Sequence, residues 1–328
     1  MSTPAVSAAA SATGAGTRPH ASTAPLAVPG GLNLLLAGTV IVSNGALLWI
    51  ASHAASWWAI ALAAAAFSYT NNTNYSLLHE CVHGKFHDRR AVNEWMGRVL
   101  AAWFPTAFTF HRVCHLGHHR RNRTEVERFD YYTPDDNRVL KFVQWYGILT
   151  GFYWFIPPIG CLLVLLTPRR LLLRVIDSRG SQTAAHTGAE AMLGGLATAP
   201  GGVMRAEILL SMAWQVAAWM LLDLSWTGWL ACYAAFAVNW SALQYADHAW
   251  SELDVENGAW NLRVGRTVQY VFLNYHHHLA HHQHPHVPWI HIGRFVDFDA
   301  PRPSFLKMYL RMWTGPRPLP PVDPMRQR

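Results

Sequence analysis

Residues 31–50 read GLNLLLAGTVIVSNGALLWI, a stretch without a single charge. That is the length an α-helix needs to cross the ~30 Å hydrocarbon layer of a bilayer. After a short break at Ala51–His53, residues 54–73 return to the same pattern. Trp49, Trp57 and Trp58 crowd the turn, as aromatic belts do at a membrane surface. The pair predicts a helical hairpin. A second hairpin is expected at 206–222 and 228–246, turning at Asp223–Thr227 beside Trp226 and Trp229. Neither turn carries Lys or Arg, so both are expected to face away from the cytoplasm.

The remainder of the chain agrees with a membrane setting. Of 328 residues, 51% are hydrophobic and only 14% charged, well below the ~25% charge of a soluble domain. An ordinary soluble enzyme and a disordered chain are both disfavoured. The net charge of +7 would suggest nucleic acid as partner in a soluble protein. Here no Lys or Arg occurs between Arg18 and Lys85, between Lys141 and Arg169, or between Arg205 and Arg263. Cations flanking apolar spans are a topology signal rather than a phosphate-tracking stripe, and no nucleic-acid partner is expected. Cys81, Cys114, Cys161 and Cys232 lie far apart, which fits neither a disulfide framework nor a zinc ribbon.

Residues 142–167 (FVQWYGILTGFYWFIPPIGCLLVLLT) are apolar and long enough to cross once. Arg169, Arg170, Arg174, Arg179 and Arg205 follow, and the positive-inside rule places them in the cytoplasm. Pro157–Pro158 is expected to break the helix, because it removes two backbone donors in mid-segment. The segment therefore reads as a re-entrant or interfacial hairpin. Residues 1–30, rich in Ala, Ser, Thr, Gly and Pro, read as a disordered tail. Residues 171–205 read as a Gly/Ala-rich cytoplasmic loop, 31–300 as one integral-membrane domain, and 301–328 as a C-terminal tail. The fold class is all-α and polytopic, with four transmembrane helices in two hairpins, the re-entrant segment and a cytoplasmic His-rich cap.

Of 19 His, 16 fall in two windows, 79–119 and 248–291, each beginning where a predicted span ends. His79 and His83 frame the first cluster (HECVH), with His87 following. His115, His118 and His119 form the second (HLGHH), with His111 one turn earlier. The third runs HHHLAHH from His276, with His278, His281 and His282 as its core. His248 closes the last span in QYADH. Residues at i, i+3 and i+4 share a helix face, so each cluster aims two or three imidazoles at one place. Neutral imidazole suits iron, copper, nickel and zinc. One zinc takes three or four protein ligands, too few for eight or nine convergent His. Two metals with open positions fit better. His20, His53 and His186 read as ordinary residues. Glu80 and Asp247, each beside a candidate ligand, are candidates to orient imidazoles, and Cys81 and Cys114 read as packing residues.

These boxes, in this order among the spans, resemble the membrane fatty acid desaturase superfamily, whose relatives include alkane hydroxylases and carotenoid ketolases. Its pattern is H-x(3–4)-H, H-x(2–3)-H-H and H-x-x-H-H, with an extra His at the cytoplasmic end of the last span. The resemblance covers roughly 75–290 and maps onto His79/His83, His115/His118/His119, His278/His281/His282 and His248. It implies that these nine residues hold a non-haem di-iron centre that activates O2. His87, His111, Gln244, Asp247 and His277 are possible additional or supporting residues. Some relatives carry Asn where this chain has Gln244, and three consecutive His in the last box leave its register open to a start at His277.

The resemblance further implies O2-dependent desaturation of an acyl chain carried on lipid, coenzyme A or carrier protein, at a bacterial inner membrane with both termini and the metal site cytoplasmic. The chain shows no dinucleotide fingerprint or haem-attachment motif, so electrons are expected from a separate ferredoxin-like donor with its reductase. The basic cytoplasmic surface is suited to steering an acidic donor. Hydroxylation or ketolation by the same centre is the near alternative. A His-rich metal transporter is the distant one, since transport calls for ionisable groups in mid-span and these spans are nearly free of charge.

Overall fold

The computed structural model describes residues 26–168, 170–171, 195–196 and 199–321. Nearly all of the expected N-terminal tail, most of the 171–205 loop, His20 and His186 lie outside the described residues. Apart from one two-residue strand pair, the described elements are helical.

Helices α1 (Gly30–His53) and α2 (Trp57–Val82) form the first expected hairpin. The helices α7 (Gly201–Leu221) and α8 (Trp226–Ala246) form the second. Its turn is tighter and begins one residue earlier than expected, because Ser225 caps α8 by accepting from Gly228 N–H at 3.1 Å. α2 packs against both α1 and α8. The hairpins meet closely at Gly228, where a Cβ would come within 2.5 Å of the Ser52 nitrogen. Of these four helices, α1 alone is apolar enough throughout to stand as a span by length and composition. In α2 the polar run Ser68–Ser76 intervenes, buried against its neighbours. Asn71 of that run accepts from Asn44 of α1 at 3.0 Å.

The helix α2 also runs further than the sequence predicts. It continues to Val82, so His79 sits in its last turn and the cap begins near His83 rather than at 74. Two shorter helices follow, α3 (Arg90–Trp103) and α4 (Phe108–Arg121). Glu207 of α7 fixes both: its carboxylate takes Arg98 at 2.9 Å and accepts from Thr109 N–H at 2.7 Å.

The apolar stretch expected to be re-entrant is bent by 93° between α5 (Arg138–Leu149) and the helical run that ends in α6 (Ile156–Leu166). The break lies elsewhere than expected. Gly151, at φ +90°, makes the turn, and its missing Cβ would lie 2.8 Å from the Val238 nitrogen. Pro157 and Pro158 instead occupy the first turn of α6. There their absent N–H groups have no intrahelical partner to lose.

The cap closes with α9 (Arg266–Val271), α10 (His278–Gln283) and α11 (Phe305–Met312). Residues 301–321, read from sequence as part of a tail, carry α11 and the strand β2 (Arg317–Pro318), which pairs in parallel with β1 (Tyr131–Tyr132). Met312 is fully buried and its carbonyl accepts from the Trp145 indole at 2.7 Å. That burial holds the C-terminal segment on the body.

Candidate metal centre

Four segments bring histidines together. α2 ends on His79 and His83, α4 carries His115, His118 and His119, His248 follows α8, and α10 carries His278, His281 and His282. They divide into two groups. His79, His83, His115, His119 and His281 form one; His118, His248, His278 and His282 form the other. Within each group the ligand atoms lie within 4.8 Å of one another.

The H-x-x-H-H spacing explains the division. Positions i and i+4 share a helix face, whereas i+3 and i+4 are ~100° apart. On α4 the pair His115/His119 serves the first group and His118 the second. On α10 the pair His278/His282 serves the second and His281 the first. Each helix thus feeds both groups, with opposite allotment. The nitrogens approach closely: His83 Nε2 lies 2.9 Å from His115 Nε2, His119 Nε2 3.0 Å from His281 Nε2, and His278 Nε2 3.2 Å from His282 Nε2.

The donor set fits a metal on three observations. Burial pushes His83 down to about 4 and His119 to about 2, so these rings are held as neutral imidazoles, the form that ligates. The Nε2 atoms of His79 and His248 are buried, and among the described residues neither has a hydrogen-bond partner. Several second nitrogens are already engaged. His248 Nδ1 donates to the Gly258 carbonyl at 2.9 Å, and His118 Nδ1 meets Glu127 Oε2 at 2.6 Å. Such bonds fix tautomer and ring orientation, leaving the other nitrogen for the metal.

The supporting candidates separate. Asp247 is fully buried, with Oδ2 3.6 Å from His278 Nδ1 and Oδ1 3.8 Å from His248 Nε2. Burial pushes its carboxyl well above the ordinary range. Glu80 Oε1 is 4.0 Å from His79 Nδ1, while Oε2 accepts from Trp289 N–H at 3.2 Å. Gln244 is held by two phenols, Tyr75 at 3.0 Å and Tyr275 at 2.9 Å, both donating to its Oε1. His111 stacks one turn before His115, in neither group. His277 lies against His276 and Phe298 in neither group, whereas His278 belongs to the second. His87 packs under Gly30, and its Nδ1 accepts from Arg89 N–H at 2.9 Å. Cys81 and Cys114 belong to neither group, and His53 stacks on Trp49 at the far turn.

Glu127 escapes the sequence reading. It lies in a loop eight residues beyond the second box, and no periodicity points back to His118. Tertiary structure places it. A buried Arg123–Asp130 ion pair at 2.7 Å folds the loop, and the Tyr245 hydroxyl donates to Asp130 Oδ1 at 2.8 Å. Glu127 also holds Arg121 at 3.1 Å.

A cavity of about 340 Å³ runs among α4, the bent α5–α6 unit and α8. Its walls include Phe110, Phe129, Ile148, Tyr153 and Trp240. His115 of the first group and His118 and His248 of the second also face it. Among the described residues, no Lys or Arg lines it, and Glu127 is its one carboxylate. The lining is mostly apolar, with Asn122, Glu127, Gln144 and Gln244 as polar members beside the histidines, the composition of a small-molecule pocket.

The chain matches the family model described as fatty acid desaturase over residues 25–316. The histidine groups are consistent with a non-haem iron centre in that family. No curated protein matches the chain.

Proposed function

The chain belongs to the fatty acid desaturase family of membrane-associated oxidoreductases, and on that premise we propose an O2-dependent acyl-chain desaturase with four membrane spans. The observation that carries the reading is the apolar cavity faced by both histidine groups. In the reaction, two C–H bonds of adjacent methylenes break and a C=C bond forms. O2 takes two electrons from the substrate and two from a donor, and with two added protons gives two waters.

The five-His and four-His groups are the proposed ligands of two non-haem irons, which when bound supply the activation of O2. The protein's own part is positional. Phe110, Tyr153 and Trp240 shape a dry wall that registers the alkyl chain. Glu127 and the Gly258 carbonyl hold His118 and His248 in place, and Asp247 lies beside His278. Tyr75 and Tyr275 fix Gln244 one helical turn before His248.

The membrane setting is supported by large apolar side chains exposed on α1, α2 and α7, among them Val42, Leu62 and Leu221. In this reading α1, α2, α7 and α8 span, the α5–α6 unit is re-entrant, and the site lies on the cytoplasmic face of a bacterial inner membrane. A separate ferredoxin-like donor with its reductase supplies electrons, and the acyl group arrives on lipid, coenzyme A or carrier protein.

Lipid profiles of cells with and without the chain test the reaction. New alkenes in air and none without O2 are expected. An oxygenated product without an alkene would replace desaturation by hydroxylation or ketolation. Metal analysis of purified protein should give about two irons per chain, and zinc alone would favour a metal-binding or transport role.

A further inference from the structure

A second cavity, of about 490 Å³, lies on another side of the molecule, between α2, α8 and the segments that carry α9 and α11. One part of its lining is apolar, with Tyr69, Val268, Phe272 and Phe305. The other part carries Arg263, Lys307 and Ser304, and no carboxylate lines it. Arg266 follows the lining Gly265, and Arg302 stands close enough to Arg263 for the like charges to repel. Among the described residues, none of these four cations has a carboxylate at ion-pair distance. Arg263 N–H donates to the Pro303 carbonyl at 2.8 Å and Phe305 N–H to the Arg263 carbonyl at 3.0 Å, so the two cation-bearing segments are fixed side by side. Next to the cavity, α9 and α11 expose a row of large apolar side chains: Tyr270 at 64%, Leu306 at 62% and Leu310 at 59%.

We propose that this cavity binds an anionic phospholipid of the membrane, its phosphate against Arg263 and Lys307 and its acyl chains along Tyr69, Val268 and Phe272. The charges need an anion, and the exposed row on α9 and α11 needs an apolar surround. An anionic lipid at a bilayer surface supplies both at one place. The two segments are already built together, so the ligand orders little on binding. The site rests on the membrane setting proposed above and uses neither the histidine groups nor the reaction.

Full-length protein in detergent would be titrated with dioleoylphosphatidylglycerol, dioleoylphosphatidylcholine or sodium phosphate, with melting temperature as the readout. Phosphatidylglycerol should stabilise at lower concentration than phosphatidylcholine, and phosphate alone should not. A basic residue at an anionic lipid surface is worth about fivefold in binding, so Lys307→Gln should raise the half-saturating lipid about fivefold and Arg263→Gln/Lys307→Gln about thirtyfold. Lys307 is exposed on the surface of α11, and the single variant carries the test if the double one does not fold. Equal responses to the two lipids, or an unchanged response in the Lys307 variant, would overturn the proposal. An equal shift from phosphate alone would make this a free-anion site and overturn the lipid assignment. Iron content and product of the variants should equal wild type, which separates this outcome from failure of the desaturase reading.

Discussion

An imidazole serves a metal when one nitrogen is fixed and the other is free. His248 meets that condition outside any multi-His box: Nδ1 is tied to Gly258 and Nε2 is buried without a partner. His248→Ala should therefore insert in the membrane but lose turnover and part of its iron. Gln244→Ala should be milder, because Gln244 acts through its neighbours. Iron at wild-type level in His248→Ala would remove it from the site. Glu127 is a positioning residue for His118, and Glu127→Ala should weaken iron binding about 10- to 100-fold, as loss of a ligand's hydrogen-bonding partner typically does. Its absorption and resonance signature should shift even in protein reloaded with iron. An unchanged spectrum would make Glu127 only a partner of Arg121. In the third box, His278→Ala should abolish activity and His277→Ala should not. The eight residues of the three boxes were legible because helical spacing is periodic, and His248 only through the family resemblance. Glu127 was not, since only the Arg123–Asp130–Tyr245 fold of its loop brings it back.

Among the elements, the bent α5–α6 unit shows where sequence logic misplaces a break. Proline removes a donor wherever it stands, but the first helical turn has no partner for that donor. The bend is made by Gly151, whose φ of +90° and close approach to Val238 exclude a side chain. Neither condition is visible without α8 packed against it. Gly151→Val should cost about 1–3 kcal/mol through backbone strain, with added cost from the clash. Pro157→Ala should stay within about 1 kcal/mol. Thermal melting of the two variants in detergent decides the matter, and the reverse ranking would return the break to the prolines. The hairpins themselves were readable to within a few residues, since apolar runs and capping residues act locally. The extension of α2 to Val82 was not, because its polar Ser68–Ser76 run looks like a span's end until α8 and the cap bury it.

At the scale of the whole molecule, the second histidine group constrains the proposed membrane topology. His118 precedes the bent unit and His248 follows α8, yet their ligand atoms lie within 4.8 Å of each other. In the membrane setting proposed above, both then lie on one side and the crossings between them are even in number. If α7 and α8 each cross, the α5–α6 unit cannot. A single passage there would leave His248 on the face opposite His118 and take the second group apart. The 93° bend between α5 and α6 suits a re-entrant loop and a broken span equally, so a reporter between α6 and α7 decides between them. The positive-inside rule carries the same expectation, because it would group the arginines that follow the unit in the sequence with the chain's other cations. A reporter inserted between α6 and α7 should therefore show the cytoplasmic state, like one placed after Leu319. Reporters in the turns at Ala54–Ser56 and Leu222–Ser225 should show the opposite one. A periplasmic signal between α6 and α7, in protein that still binds iron, would mean that α7 or α8 fails to cross, and the four-span topology would fall while the paired histidine groups stood.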